Sequence, residues 1–264
     1  MKTLKRALPL LLLLAGAAMA QPADYVSLPG GVLRTALPPD GKQAPALVSP
    51  FFMRTRPVSN AEFLVFVTAH PKWRRDAVPV LFADNGYLTQ WAAPDAVGKG
   101  AGDQPVTQVS WFAAEAFCEA ENARLPTWHE WEFVAAADAT RPDARSDPAW
   151  RARILSWYSR PGTSALPKIG QTGKNVYGVY DMHGLVWEWV EDYAGLMVSV
   201  DNRVQGDPDV QKFCGAGALS VSDRENYAVL MRIAMLSSLK GADTTRNLGF
   251  RCARDGVKKQ EKTP

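Results

Sequence analysis

The chain has 264 residues, is 47% hydrophobic and 22% charged, and carries nine Trp, seven Tyr and ten Phe. This composition fits one ordered globular domain with a sizeable core and excludes a disordered or collagen-like chain. A formal charge of +3 is too small to point to nucleic acid, and three cysteines are too few for a disulfide scaffold.

The N-terminus accounts for that charge. Met1–Ala20 has a basic start (Lys2, Lys5, Arg6), an apolar run centred on Leu10–Ala15 and a small-residue end, Ala18-Met19-Ala20. This is the pattern of a cleaved export signal, too short to span a bilayer, and no cysteine follows it to take a lipid. Cleavage leaves 27 basic and 27 acidic residues. The expectation is a neutral periplasmic protein without a membrane anchor or an electrostatic case for nucleic acid, in a compartment that permits disulfides.

Residues 21–50, rich in Pro, Gly and Ala, read as an extended N-terminal segment with short strands around Tyr25–Leu28 and Val32–Thr35. Phe51–Arg54 reads as a strand. Ser59-Asn60-Ala61-Glu62 fits a capping box, and Phe63, Phe66 and Val67 follow at helical spacing, so 60–69 is predicted helical. Residues 70–105, punctuated by Pro71, Pro79, Pro94 and Pro105, read mostly as a long loop with scattered aromatics, of the kind that is either functional or packed by its own side chains. Ser110 caps a second helix carrying Trp111, Ala114 and Cys118 on one face. Thr127-Trp128-His129-Glu130 opens a third that runs to about Ala137. Residues 138–165 read as irregular, the chain after Gly178 as short strands and turns, and 255–264 as a disordered tail. The whole reads as an α+β domain low in regular secondary structure.

No hydrolase elbow, P-loop or dinucleotide fingerprint is present. The three histidines, His70, His129 and His183, could in principle contribute to a metal site but include no i, i+4 pair; the plainer reading is His70 in a loop, His129 on the exposed side of a helix and His183 filling a turn. The most informative segment is Gly178-Val-Tyr-Asp-Met-His-Gly-Leu-Val-Trp-Glu-Trp189. Asp181 and Glu188 flank a tight turn at Gly184, and such a turn can gather oxygens around Ca²⁺. The same residues also fit a core in which Trp187 and Trp189 are packed and the acids are solvated or paired with arginine.

Five segments in order resemble the formylglycine-generating enzyme (sulfatase-modifying factor) family over about Phe51 to Arg254. They are Pro57-Val-Ser-Asn60, Pro105-Val-Thr-Gln-Val-Ser-Trp111, Arg124-Leu-Pro-Thr127 followed by Glu130-Trp-Glu132, the Gly178–Trp189 segment and Asn247-Leu-Gly-Phe-Arg-Cys252. The resemblance implies a C-type-lectin-like fold for 51–254. It implies a calcium site on Asp181, Gly184, Val186 and Glu188, and a disulfide between Cys118 and Cys252. The family's other core disulfide falls on Ala135 and Ile233, both apolar here. Copper-dependent members carry two cysteines five residues apart after a Gly-Gly-Ser. Counting back from Cys252, those positions are Asp223 and Ala228, and the Gly-Gly-Ser region is Cys214-Gly-Ala-Gly-Ala-Leu-Ser220. Copper is therefore not expected. Candidate site residues in this region are Asp223, Glu225 and Cys214; a carboxylate there could act as a general base and Cys214 as a reactive or metal-binding thiol.

Three functional readings follow. The wording of 217–251 is most similar to exported, non-copper relatives, including proteins encoded beside copper nitrite reductases. This implies an accessory or maturation factor with a periplasmic protein or peptide partner. The second reading is an oxidative tailoring enzyme of the pyoverdine-maturation type, and the third a ligand-binding module. The residues leave open whether the protein is an enzyme.

Overall fold

A computed structural model describes residues 24–35, 37, 45–159, 166–196 and 227–256. Residues 1–20, read as an export signal, the candidates Cys214, Asp223 and Glu225, and residues 257–264 lie outside the described residues. The elements in chain order are β1 (Tyr25–Leu28), β2 (Gly31–Leu33), β3 (Ala46–Val48), β4 (Phe51–Arg54), α1 (Asn60–Ala69), α2 (Trp111–Ala120), α3 (Trp128–Ala135), α4 (Pro148–Tyr158), β5 (Trp187–Glu188), α5 (Tyr227–Ser237), β6 (Leu248–Gly249) and β7 (Ala253–Asp255). None of the described helices is long and apolar enough to cross a membrane.

Local chemistry sets the first three helices. Ser59 accepts from the Glu62 amide while Glu62 reaches back to the Ser59 amide, and Thr127 and Glu130 repeat the exchange at α3. Each box satisfies two amides that the first helical turn leaves without partners. Ser110 caps α2 through the Ala113 amide.

The structure differs from the sequence expectation at two helices. Residues 148–158, read as irregular, form α4: Asp147 accepts from the Ala149 and Trp150 amides, and Pro148 takes the first helical position, where no amide is needed. Residues 227–237, read as strands and turns, form α5. Asp255, read as the start of a disordered tail, belongs to β7, pairs with Phe51 and bonds Arg124 at 2.7 Å.

Three small sheets hold the molecule together: antiparallel β1–β4–β7, antiparallel β2–β3 and parallel β5–β6. The extended N-terminal segment is thus part of the main sheet, with Val26 opposite Met53 and Ala253 opposite Met53 on the other side. Cys118 of α2 is bonded to Cys252, just before β7, at a sequence separation of 134. Phe63, Phe66, Phe117 and Phe250 interlock around this point at centroid distances of 5.3–6.0 Å. The long loop 70–105 is tied both to α1 and to itself. Trp91 donates to Asn60 Oδ1 at 2.8 Å, and Arg75 donates to the Leu88 and Trp91 carbonyls.

Candidate functional site

The Gly178–Trp189 segment is a buried turn closed by α3, α4, α5 and the β6–β7 connection. Gly178 and Gly184 adopt φ of +83° and +88°, and Asp181, unusually for a residue with a side chain, +57°. Gly184 is required twice over, since a Cβ there would also meet Trp157 Cδ2 of α4 at 2.7 Å.

Asp181 is 2% exposed. Its carboxylate accepts from the Gly170 and Thr172 amides and, at 2.7 Å, from the Thr172 hydroxyl, so it fastens the preceding loop to the turn. Glu188 is wholly buried. Arg251 donates to both of its oxygens, from Nε at 2.8 Å and from a terminal nitrogen at 2.7 Å. Trp131 Nε1 adds a third donor at 2.8 Å. The same Arg251 donates to the Tyr180 carbonyl at 3.0 Å, which ties both ends of the turn to one guanidinium.

Arg232 reaches in from α5. It donates to the Glu188 backbone carbonyl, its guanidinium carbon lies 3.5 Å from the centre of the Trp131 ring, and its Nε has no partner among the described residues. Burial pulls its pKa down to about 10 despite the Glu188 charge. His183 stands between Trp150 and Trp157, with Nε2 2.8 Å from the Ala135 carbonyl and Nδ1 3.3 Å from the Tyr158 hydroxyl. This network assigns the proton to Nε2 and leaves Nδ1 to accept from Tyr158. Burial pushes the His183 pKa down to about 4, with the Arg232 charge adding to the effect, and lifts Tyr158 to about 12.

This geometry bears directly on the calcium expectation at Asp181, Gly184, Val186 and Glu188. Each carboxylate accepts from N–H or O–H donors on both of its oxygens, and a donor pointing at an oxygen occupies a direction that a cation would otherwise use. Among the described residues, no group of three or more His, Cys, Asp or Glu side chains could hold a metal. Glu188 is paired with arginine, whereas Asp181 is held by two amides and a hydroxyl.

The other predicted positions are scattered. Ala135 and Ile233 are buried in the main core. His70 ends α1, with Nδ1 3.1 Å from the Phe66 carbonyl. His129, expected on the exposed side of its helix, is half-buried, with Nε2 3.0 Å from the Leu37 carbonyl. Ala228, the second copper-ligand position by the family count, lies in the first turn of α5. There it packs beside Trp157 and Tyr158 on an apolar cluster of Ala144, Trp150 and Ile154. Sequence reasoning missed Arg232, Arg251, Trp157 and Tyr158. The only signal was that Arg251 sits inside the Asn247–Cys252 segment.

The sulfatase-modifying factor enzyme 1-like domain matches residues 13–256. The chain is a member of this family. Among its relatives is the Inactive C-alpha-formylglycine-generating enzyme 2 of Bos taurus, 27% identical over 278 aligned positions that cover 88% of each chain. The Formylglycine-generating enzyme of Thermomonospora curvata is 29% identical, covering 87% of this chain and 93% of the relative. The crystal structure of CarF superposes with a TM-score of 0.51 at 20% identity, over 89% of this chain and 99% of that one, a likeness of fold. The architecture is accordingly the α+β, irregular fold of the sulfatase-modifying factor family.

Proposed function

We propose that this protein is a periplasmic, non-copper member of its family that serves as an accessory or maturation factor, holding a protein or peptide partner rather than oxidising a cysteine. The observation that carries this reading is Ala228. At the position where a copper-dependent relative would need a thiolate, α5 presents a methyl group packed beside Trp157 and Tyr158. A methyl group cannot ligate Cu(I), and the carboxylate of Asp223 at the companion position is a hard ligand poorly matched to it. The bovine relative named as inactive spans the same extent of chain, which supports a role for the fold apart from formylglycine formation. Export is supported by the Met1–Ala20 pattern and by the Cys118–Cys252 bond, since disulfides persist in oxidising compartments. The similarity of 217–251 to proteins encoded beside copper nitrite reductases makes such a system the partner class we favour.

The test is cross-linking in the native periplasm followed by native mass spectrometry, alongside an assay of the purified protein with Cu(I) and a Cys-x-Pro-x-Arg peptide. The expected result is a retained periplasmic partner with neither copper binding nor turnover. A partnerless protein, or copper-dependent conversion of the peptide, overturns the proposal.

A further inference from the structure

We propose that the turn at residues 79–82 is a docking tip that seats the protein reversibly on an anionic phospholipid surface. The Phe82 amide donates to the Pro79 carbonyl at 2.9 Å, so Val80 and Leu81 stand at the two corners of a tight turn. Such corners ordinarily carry Gly, Pro, Asn, Asp or Ser. Here they carry two bare aliphatic side chains, Val80 80% exposed and Leu81 72% exposed, followed by Phe82 at 37%. Among the described residues, no other exposed large apolar side chains are consecutive in the chain.

The base of this loop is fastened. The Tyr87 hydroxyl donates to the Trp73 carbonyl at 3.0 Å, Arg75 donates to the Leu88 and Trp91 carbonyls, and Asp84 accepts from the Thr244 amide and hydroxyl. A tip on a fixed base loses little freedom on docking. Behind it, Trp73 meets the Phe82 ring edge-on at 6.1 Å, and Lys72 Nζ lies 5.8 Å from the centre of the Trp73 ring. Aliphatic tip, aromatic rings and then lysine repeat the order of hydrocarbon, interface and headgroup in a bilayer. Charge agrees in sign. Residues 70–84 hold Lys72, Arg74 and Arg75 against Asp76 and Asp84. Asp76 is taken by Arg74, and exposed Lys72 has no carboxylate within ion-pair distance among the described residues. Anionic lipid attracts such a group. A pocket on another protein fits the tip less well, because protein–protein contacts are anchored mostly by Trp, Tyr and Arg and are poor in Lys, whereas Val80 and Leu81 lead here.

The test uses protein purified from the periplasm, wild type and variants sharing one N-terminus, sedimented with vesicles of phosphatidylglycerol and phosphatidylethanolamine or of phosphatidylcholine. The wild type should bind the anionic vesicles about tenfold or more tightly than Val80→Asp/Leu81→Asp, with Lys72→Glu between them. Leu47→Asp, which alters a side chain 81% exposed on β3, should bind like the wild type. A wild type that ignores anionic vesicles, or binds phosphatidylcholine equally, overturns the proposal, as does a folded tip variant that binds unchanged. Should the tip variant not fold, the wild-type and Lys72→Glu measurements decide. Loss of a cross-linked periplasmic partner in the tip variant, with vesicles left unbound by the wild type, assigns the tip to a protein interface and also overturns it. A partnerless protein that binds anionic vesicles through the tip upholds this proposal independently of the accessory role.

Discussion

Glu188 and Arg251 face one another across two parallel hydrogen bonds with neither side chain exposed to water. Removing one partner of such a pair leaves an uncompensated buried charge, typically a loss of about 3–5 kcal/mol. Arg251→Met should show a loss of that size in urea unfolding at neutral pH. The double variant Glu188→Leu/Arg251→Met removes both charges and should be markedly more stable than Arg251→Met. Equal stability of the two variants would mean that the pair is not coupled.

Cys118 and Cys252 close a loop of 134 residues. In the chain-entropy account a loop of that size gains up to about 5 kcal/mol, and measured losses of native disulfides run at about 2–5. Cys118→Ala/Cys252→Ala should lower the unfolding midpoint by well over the effect of an ordinary surface change. Dithiothreitol should lower the midpoint of the wild type and leave that of the variant unmoved.

What could be read from the chain follows the range of the interaction. The capping boxes at Ser59/Glu62 and Thr127/Glu130 complete themselves within four residues, so α1 and α3 were legible. The cap of α4 is equally local, at Asp147-Pro148, but only Trp150 and Ile154 of that helix are buried, which leaves too thin an apolar stripe to register as periodic. The segment 227–237 carries Val229, Leu230, Met231, Ile233, Met235 and Leu236, a dense apolar run that fits a strand as readily as a buried helix. At the turn, the acids and the glycine were visible as chemistry. Their partners were not, because Arg251 lies 63 residues from Glu188 and Arg232 lies 44 residues away. No spacing rule connects residues that only the fold brings together.

His183 couples the same region to pH. Its pKa falls from 6.5 in the unfolded chain to about 4 in the fold, mainly because burial disfavours the imidazolium. The unfolded state therefore binds more protons between these values, and the stabilising contribution, complete above pH 6.5, is lost as the pH falls toward 4. The shift corresponds to about 3 kcal/mol at most. Urea unfolding at pH 7 and pH 4.5 should show this loss in the wild type. His183→Gln should be less stable at pH 7 but flatter across the same interval; an unchanged slope would assign the acid sensitivity to other groups.

Gly184 and Trp157 set the fit of α4 on the turn. Gly184 has φ of +88°, and an added Cβ would stand 2.7 Å from Trp157 Cδ2, too close for any real contact. Gly184→Ala therefore adds backbone strain to a clash with an aromatic ring that is itself stacked on His183. The left-handed backbone costs an alanine about 1–2 kcal/mol and overpacking typically about 1–3, so Gly184→Ala should destabilise by about 2–5 kcal/mol. The two contributions separate by experiment. In a Trp157→Leu background, which has no indole to strike, Gly184→Ala should retain the backbone cost and lose most of the clash, giving a smaller penalty than in the wild type. Equal penalties in the two backgrounds would show that α4 does not press on the turn at Gly184.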